Sequence, residues 1–498
     1  MSTRLGPATQ VPIQFFLDHV LPPLDAEIDT DAVLAKLRRY GKGPHRAITK
    51  AGRWCGFSVD PAKIKGPHSG SAFANWPRVV DAIARCGAPT GKCMKPSLRL
   101  VNNPSPGRDA EDCSVRAAPD AYMVAPDVLA GKTEVPWTSI AVIGEYETYA
   151  SDKDDNVSKI TRSISRAFED PRRRFVFGFT IEDTAMRLWF CDRTQLIVST
   201  YVNFITEHKI VVHTFLSLIY AEPHHLGWDS TIKLIEDVNK DLQYDFTVER
   251  GDGSTAVFRS LSCISHAGSK TVLSKGTRVW RVVSLVNGVP TGEPAVLKDE
   301  WVHEELEREG TTLQEIQQYD RSDEFQGTFF KSFLTALAHG DVVLRSPTGA
   351  HAPYCDRTRQ HDVNARAYVA GMALPDVSLF APRGVVLAHL VSVGENFALT
   401  GCRVHYRIVF KECCAPLTLS MPLHIVFSAL GEVCEALKVM HRAGWVHRDV
   451  SIGNIMLDVT GRAKLVDLEY AKKMGDKSVP ELSVVSFNLS SNLGFDGR

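Results

Sequence analysis

The chain has 498 residues, 44% of them hydrophobic and 23% charged, with a formal net charge of −1. That length exceeds one typical core and predicts two or three domains, and the ordinary apolar content excludes a chain disordered throughout. The balanced charge excludes an overall field that would draw in nucleic acid or an anionic membrane. Eleven cysteines, an odd number with no CxxC pair, argue against a disulfide framework or a zinc site. They predict a reducing, intracellular compartment, cytoplasmic or nuclear. No run approaches about 18 apolar residues and the first residues lack a leader-like apolar core, so no membrane span or leader is expected.

In chain order, Asp31 to Leu37 sets its apolar residues on one helical face. Residues from about 40 to 135 are rich in Gly, Pro, Ser and Asn, as in VNNPSPGRDAED, and predict loop or linker. Residues 1–135 therefore read as a helical piece with a loop-rich region. Phe175 to Ile181 alternates as a half-buried strand, breaks at Glu182-Asp183 and resumes at Arg187 to Asp192, which predicts a hairpin. Val211–Ile219 and Ser230–Ile235 read as core-facing helical segments, giving an α+β domain over 136–265.

From residue 268 the pattern changes. Thr277–Leu285 predicts a strand, Asn287-Gly288-Val289-Pro290 a turn, Ala295–Lys298 a second strand, and Glu300–Gln318 a charged helix. Tyr406–Phe410 reads as a buried strand. Val426, Leu430, Val433, Leu437 and Met440 recur at helical spacing, and Gly444 closes that helix.

The strongest chemical signal follows it. His447-Arg448-Asp449, then Asn454, then Asp467 at the end of an apolar run (Ala463, Leu465, Val466), has the catalytic-loop and metal-loop spacing of a eukaryotic-type protein kinase. Phosphoryl transfer needs positioning and charge neutralisation more than covalent help. Asp449 is placed to accept the attacking hydroxyl's proton, and Asn454 and Asp467 to hold Mg²⁺ against nucleotide phosphates. Lys298 ends an apolar strand ahead of a charged helix, as a phosphate-binding lysine does, although a lysine in such a place is ordinarily a solvated one. Its helical carboxylate partner is Glu305, Glu309 or Glu315, with Glu309 favoured. Ser274 to Trp280 offers one glycine, Gly276, where a phosphate-covering loop usually has three. Leu468-Glu469 replaces the Phe-Gly that commonly follows the metal aspartate, and Ser451 replaces a common lysine.

Other motifs read as structural. Arg172-Arg173-Arg174 is taken as a solvated strand start, and His224-His225 beside Asp229 as a polar turn. Gly87 to Cys93 is a poor P-loop, with its glycines too close and Cys93 in place of the Mg²⁺-binding hydroxyl. Glu145-Tyr146-Glu147 follows an apolar strand as a nuclease carboxylate pair would. With no lysine in the right place, it reads as a strand end.

HRDVSIGN and VDLEYAKKM, preceded in order by RRRFVFGFTIEDTAMRLWFCDRTQLIVS, LGWDSTI, GTRVW, VLKDEW and HYRIVFKE, resemble the fungal-type protein kinase family over about residues 137–474. The resemblance implies an α+β, protein-kinase-like bilobal fold preceded by a family-specific α+β region, with ATP and Mg²⁺ as cofactors and transfer to protein Ser/Thr hydroxyls. By matching positions it implies Asp449 as the proton acceptor, Asn454 and Asp467 as metal ligands and Lys298 as the phosphate-binding lysine. Arg448 and His447 complete the expected catalytic set, and Gly276, Glu309 and Glu412 are the further candidates around the nucleotide. The expected divisions are a kinase N-lobe with an insertion over 268–411, a C-lobe over 412–474, and an irregular tail over 475–498. The insertion falls at Phe380–Cys402. The residues after Asp467 contain no activation-segment anchor, so an incomplete, truncated C-lobe is expected. Three readings stay open: a protein Ser/Thr kinase, a pseudokinase-like nucleotide-binding protein, and a small-molecule phosphotransferase. ATP and an unidentified protein substrate are the expected partners, with no nucleic acid or membrane.

Overall fold

A computed structural model describes residues 8–41, 46–64, 72–88, 95–103, 118–129, 135–236, 242–266, 269, 272–322, 327–346, 349, 352–358 and 402–475. The expected insertion at 380–402, all but its last residue, and the tail beyond 475 lie outside these residues, as do positions 89–93 of the P-loop-like stretch. The chain divides into two compact units. The first is Met1–Leu234, Ser265–Arg278 and Val343–Val404; the second is Ile235–Ile264, Val279–Val342 and His405–Arg498. Among the described residues no helix is long and apolar enough to cross a membrane.

The first unit is built on an eight-stranded sheet. Its strands are β1 (Thr9–Val11), β2 (Arg99–Asn102), β3 (Ala121–Val124), β4 (Val142–Glu147), β5 (Val176–Glu182), β6 (Ala185–Cys191), β7 (Leu196–Ser199) and β8 (Val202–Asn203). They lie in the order β1-β7-β6-β5-β4-β3-β2, with β8 on β6. Four helices pack with it: α1 (Thr30–Arg39), α2 (Trp76–Gly87), α3 (Lys153–Ala167) and α4 (His208–Ile219). Asp29 caps α1 by accepting from the Asp31 and Ala32 amides, as an N-cap carboxylate does. β4 and β5 are parallel, which requires a crossover, and α3 is that crossover. β5 and β6 form the expected hairpin. Its turn residue Asp183 has φ 53°, a conformation that short polar side chains tolerate.

The expected boundary at 135 is absent. Trp54, Phe57, Phe73 and Trp76 are fully buried in the same apolar cluster as β4, β5 and α4. Trp76 packs edge-on against Phe204 at 5.0 Å, and Phe73 stacks on Tyr146 at 4.6 Å. A few large aromatics bury enough area to seat a Gly- and Pro-rich stretch, because each contributes up to about 250 Å². Two of the three arginines, Arg173 and Arg174, are also buried rather than solvated, and Arg172 is partly buried against Asp170. Arg173 lies over the Trp228 ring at 3.5 Å, and Arg174 pairs with Asp356 at 2.8 Å, both partners essentially without solvent contact.

The second unit carries a seven-stranded sheet of β9 (Ile232–Glu236), β10 (Leu242–Glu249), β11 (Thr255–Ser265), β12 (Arg278–Val286), β13 (Val289–His303), β14 (Ala336–Asp341) and β17 (Arg403–Phe410). The order is β14-β17-β13-β12-β11-β10-β9. The short pair β15 (Val343–Leu344) and β16 (Tyr354–Cys355) belongs to the first unit. Two expectations change here. Residues 232–236 are a strand rather than a helix, since a short run of alternating apolar residues has no decisive period. The charged stretch after Lys298 stays extended to His303, and its helix, α5, spans Glu309–Ser322.

Helix α6 (Leu423–Arg442) leads into β19 (Trp445–Val446). It buries Val426, Ala429, Val433, Ala436, Val439 and Met440. Leu430, expected in that stripe, is 40% exposed, beside Leu423 at 72% and Phe427 at 68%.

Candidate phosphotransfer site

A small three-stranded sheet and a strand pair frame the polar loop of the second unit. β18 (Ala415–Pro416), β20 (Ile455–Leu457) and β21 (Ala463–Leu465) form one antiparallel sheet, and β19 pairs with β22 (Lys472–Lys473) in the register Val446↔Lys472. His447 therefore leaves β19, Asn454 enters β20 and Asp467 follows β21. The Val466 amide donates to the Asn454 carbonyl at 3.0 Å and ties the last two together.

His447 is buried. Its Nδ1 accepts from the Asp449 amide at 3.3 Å while Nε2 faces the Val466 carbonyl at 3.2 Å. One neutral tautomer, protonated at Nε2, satisfies both contacts. Burial lowers the ring's pKa, which favours that neutral form. His447 is thus a clamp on the loop. Arg448 and Asp467 both sit at positive φ, 68° and 62°. Such backbone strain costs about 1–3 kcal/mol and persists where the surroundings impose it. Asn454 Nδ2 donates to the Asp449 carbonyl at 2.8 Å and to Asp449 Oδ2 at 3.1 Å, leaving the Asn454 amide oxygen for a cation.

Lys298 projects from β13 into a ring of carboxylates. Its Nζ lies 2.8 Å from Glu300, 2.9 Å from Asp467 and 3.1 Å from Glu309. Burial alone would lower the ammonium's pKa, but Asp467, Glu300 and Glu309 hold it well above its ordinary value. Glu309 opens α5, and its other oxygen accepts the Leu468 amide at 3.2 Å, so a single carboxylate links the lysine to the segment after Asp467. Of the three candidate partners the geometry selects Glu309; Glu315 instead bonds Lys473 at 3.0 Å. Glu300 was not among the sequence candidates. Its signal was there, two residues after Lys298 and so on the same face of a strand, but was hidden by reading that stretch as helix. Burial raises Glu300's carboxyl to about 7 against the pull of Lys298.

Two candidates stand elsewhere. Gly276 lies in the first unit, at φ 60°, where an added Cβ would come within 2.7 Å of the Arg193 side chain. The Glu412 carboxylate accepts from the Thr335 amide at 2.8 Å and hydroxyl at 2.7 Å, fastening the entry to β14.

A family model described as "Fungal protein kinase" matches residues 118–484. Shorter stretches resemble curated kinases. The chain is 33% identical over 91 residues to a dual serine/threonine and tyrosine protein kinase of Takifugu rubripes, which is 18% of this chain and 9% of the relative. It is 37% identical over 70 residues to the Homo sapiens protein of the same name, 14% of this chain and 7% of the relative. It is 35% identical over 54 residues to the serine/threonine-protein kinase CLA4 of Eremothecium gossypii, 11% of this chain and 7% of the relative. The chain spans less than a tenth of the length of each of these relatives. The model match covers well over half of the chain, including Lys298, Glu309, Asp449, Asn454 and Asp467, and the chain belongs to the fungal protein kinase family.

Proposed function

We propose that the second unit binds ATP with Mg²⁺ and transfers the γ-phosphoryl group to protein Ser/Thr hydroxyls. The observation that carries this reading is the Lys298–Glu309 pair bonded within reach of Asp467, with Asn454 holding Asp449. Lys298 neutralises the α/β-phosphates, and Asp449 orients the acceptor hydroxyl and takes its proton. The donor set fits Mg²⁺, which takes one or two protein oxygens and fills its remaining positions with phosphate and water. Asn454 and Asp467 supply those oxygens. Such a cation, held by Asn454 and Asp467, would offset phosphate charge.

The test is phosphate transfer from γ-labelled ATP to the chain itself and to a mixed protein acceptor, in Mg²⁺ and in chelator. Mg²⁺-dependent incorporation on Ser and Thr that falls by at least about 100-fold in Asp449→Ala is expected. Incorporation equal in the Asp449→Ala chain would reject the assignment. So would ATP binding without any transfer, which is the behaviour of a nucleotide-binding protein.

A further inference from the structure

β13 carries two opposite charges on one face. Lys298 and Glu300 stand two residues apart on that strand, so their side chains point to the same side, on Cα atoms about 6–7 Å apart. The Glu300 carboxylate reaches to 2.8 Å from Lys298 Nζ, nearer than Asp467 at 2.9 Å or Glu309 at 3.1 Å. Glu309 comes from α5 and Asp467 from the segment after β21, whereas Glu300 shares the lysine's own strand. A shift of α5 or of the Asp467 segment therefore changes those two contacts and leaves the Glu300 contact in place.

Exposure divides the three partners. The Asp467 side chain is 31% exposed, against 2% for Glu300 and 4% for Glu309. The solvent side of the ring is thus at Asp467, and Glu300 and Glu309 back the ammonium from the sealed side. Glu469, also buried, acts on both Lys298 and Glu300 by its charge. One ammonium answers four carboxylates. The Glu309 pair is enough to hold Lys298 in place, and Glu309 also fastens the Leu468 amide. Glu300 adds a further negative charge beside the point where a phosphate would meet the ammonium.

We propose that Glu300 is a restraining residue of the nucleotide site, whose carboxylate competes with nucleotide phosphates for Lys298 and holds the affinity for ATP down. The proposal rests on the kinase reading for the identity of the nucleotide. Without nucleotide the ammonium is shared among Glu300, Glu309 and Asp467. Once Asp467 turns to a cation, Glu300 and Glu309 still hold the ammonium, and a phosphate meets a charge already answered twice. Glu300 acts through Lys298 and touches neither phosphate nor acceptor hydroxyl, so it is a positioning residue. A unit charge several ångströms away in a partly desolvated site is enough to change phosphate affinity at least about 10-fold.

The test is calorimetric binding of ATP with Mg²⁺ to the full chain at pH 8, above the value of about 7 to which burial raises the Glu300 carboxyl. Glu300→Gln keeps the shape and removes the charge, and its dissociation constant should fall at least about 10-fold. Glu300→Asp keeps the charge and should stay within about threefold of wild type. In phosphate transfer Glu300→Gln should lower the KM for ATP and leave kcat unchanged, as a change in binding alone does. Adding Glu300→Gln to Lys298→Met should not restore ATP binding, because the restraint acts through the lysine. Circular dichroism checks the fold, and Glu300→Ser replaces Glu300→Gln if that variant unfolds. Unchanged or weaker ATP binding in Glu300→Gln, an aspartate variant as tight as the glutamine one, or binding restored to Lys298→Met would each overturn the proposal. Wild-type binding that Glu300→Gln does not tighten leaves the kinase reading standing. Tightening without any transfer rejects the kinase reading alone, and ATP binding by neither chain overturns both.

Discussion

Three carboxylates lie within 3.1 Å of Lys298 Nζ, so this one cation faces three negative groups at once. Removing it leaves buried carboxylates facing one another, and breaking a buried pair costs about 3–5 kcal/mol. Lys298→Met should therefore lose ATP binding and also unfold earlier at pH 8, with much of that stability recovered at pH 5 as carboxyls protonate. Denaturant midpoints at the two pH values measure this, and equal losses at both would contradict it. Glu300 gives a second pH prediction. Its carboxyl is raised from 4.5 to about 7, so the folded state holds a proton that the unfolded chain has released. Its stabilising share is complete below pH 4.5 and is lost as pH rises through 7. In the wild type the midpoint should fall across that window, and Glu300→Gln should flatten the fall. Of this cluster, Lys298, Glu309 and Asp467 were legible because their spacing follows a known motif, whereas Glu300 required knowing that β13 runs on to His303.

Helix α6 shows how one element serves two environments. Its buried stripe, from Val426 to Met440, belongs to the core of the second unit, but Leu423, Phe427 and Leu430 face solvent. Met440→Ala should cost about 2–5 kcal/mol. Phe427→Ser should cost under about 1 kcal/mol and lower the binding of a hydrophobic dye; a loss as large as at Met440 would show that this face is packed. The helix itself was readable from its apolar period, but which apolar residues face inward was not, because an apolar helix offers more than one possible stripe. The same limit hid Lys159. On α3 it looks like an ordinary exposed-face lysine, and only the parallel β4–β5 crossover brings it over Glu147 and Asp120.

At the scale of the molecule, the chain passes back and forth between its units. The domain boundary suggested by sequence, near 268, falls after β11 and would strip β9, β10 and β11 from the seven-stranded sheet. A fragment beginning there exposes the edge of β12 and should aggregate, which size-exclusion chromatography would show; a monodisperse fragment would contradict the strand order. Trp54→Ala should likewise cost about 3–5 kcal/mol, since the indole is fully buried and donates to the Phe204 carbonyl at 2.7 Å. A loop, as composition suggested, would lose almost nothing. This interleaving also sets a clock on synthesis. Arg174 and Asp356 are 182 residues apart in the chain yet meet as a buried pair. At about 5–20 residues per second, a ribosome delivers the carboxylate roughly 10–40 s after the arginine. Until then the first unit cannot close around that cation, so a nascent chain must stay open, or be held open by a chaperone, while much of the second unit emerges.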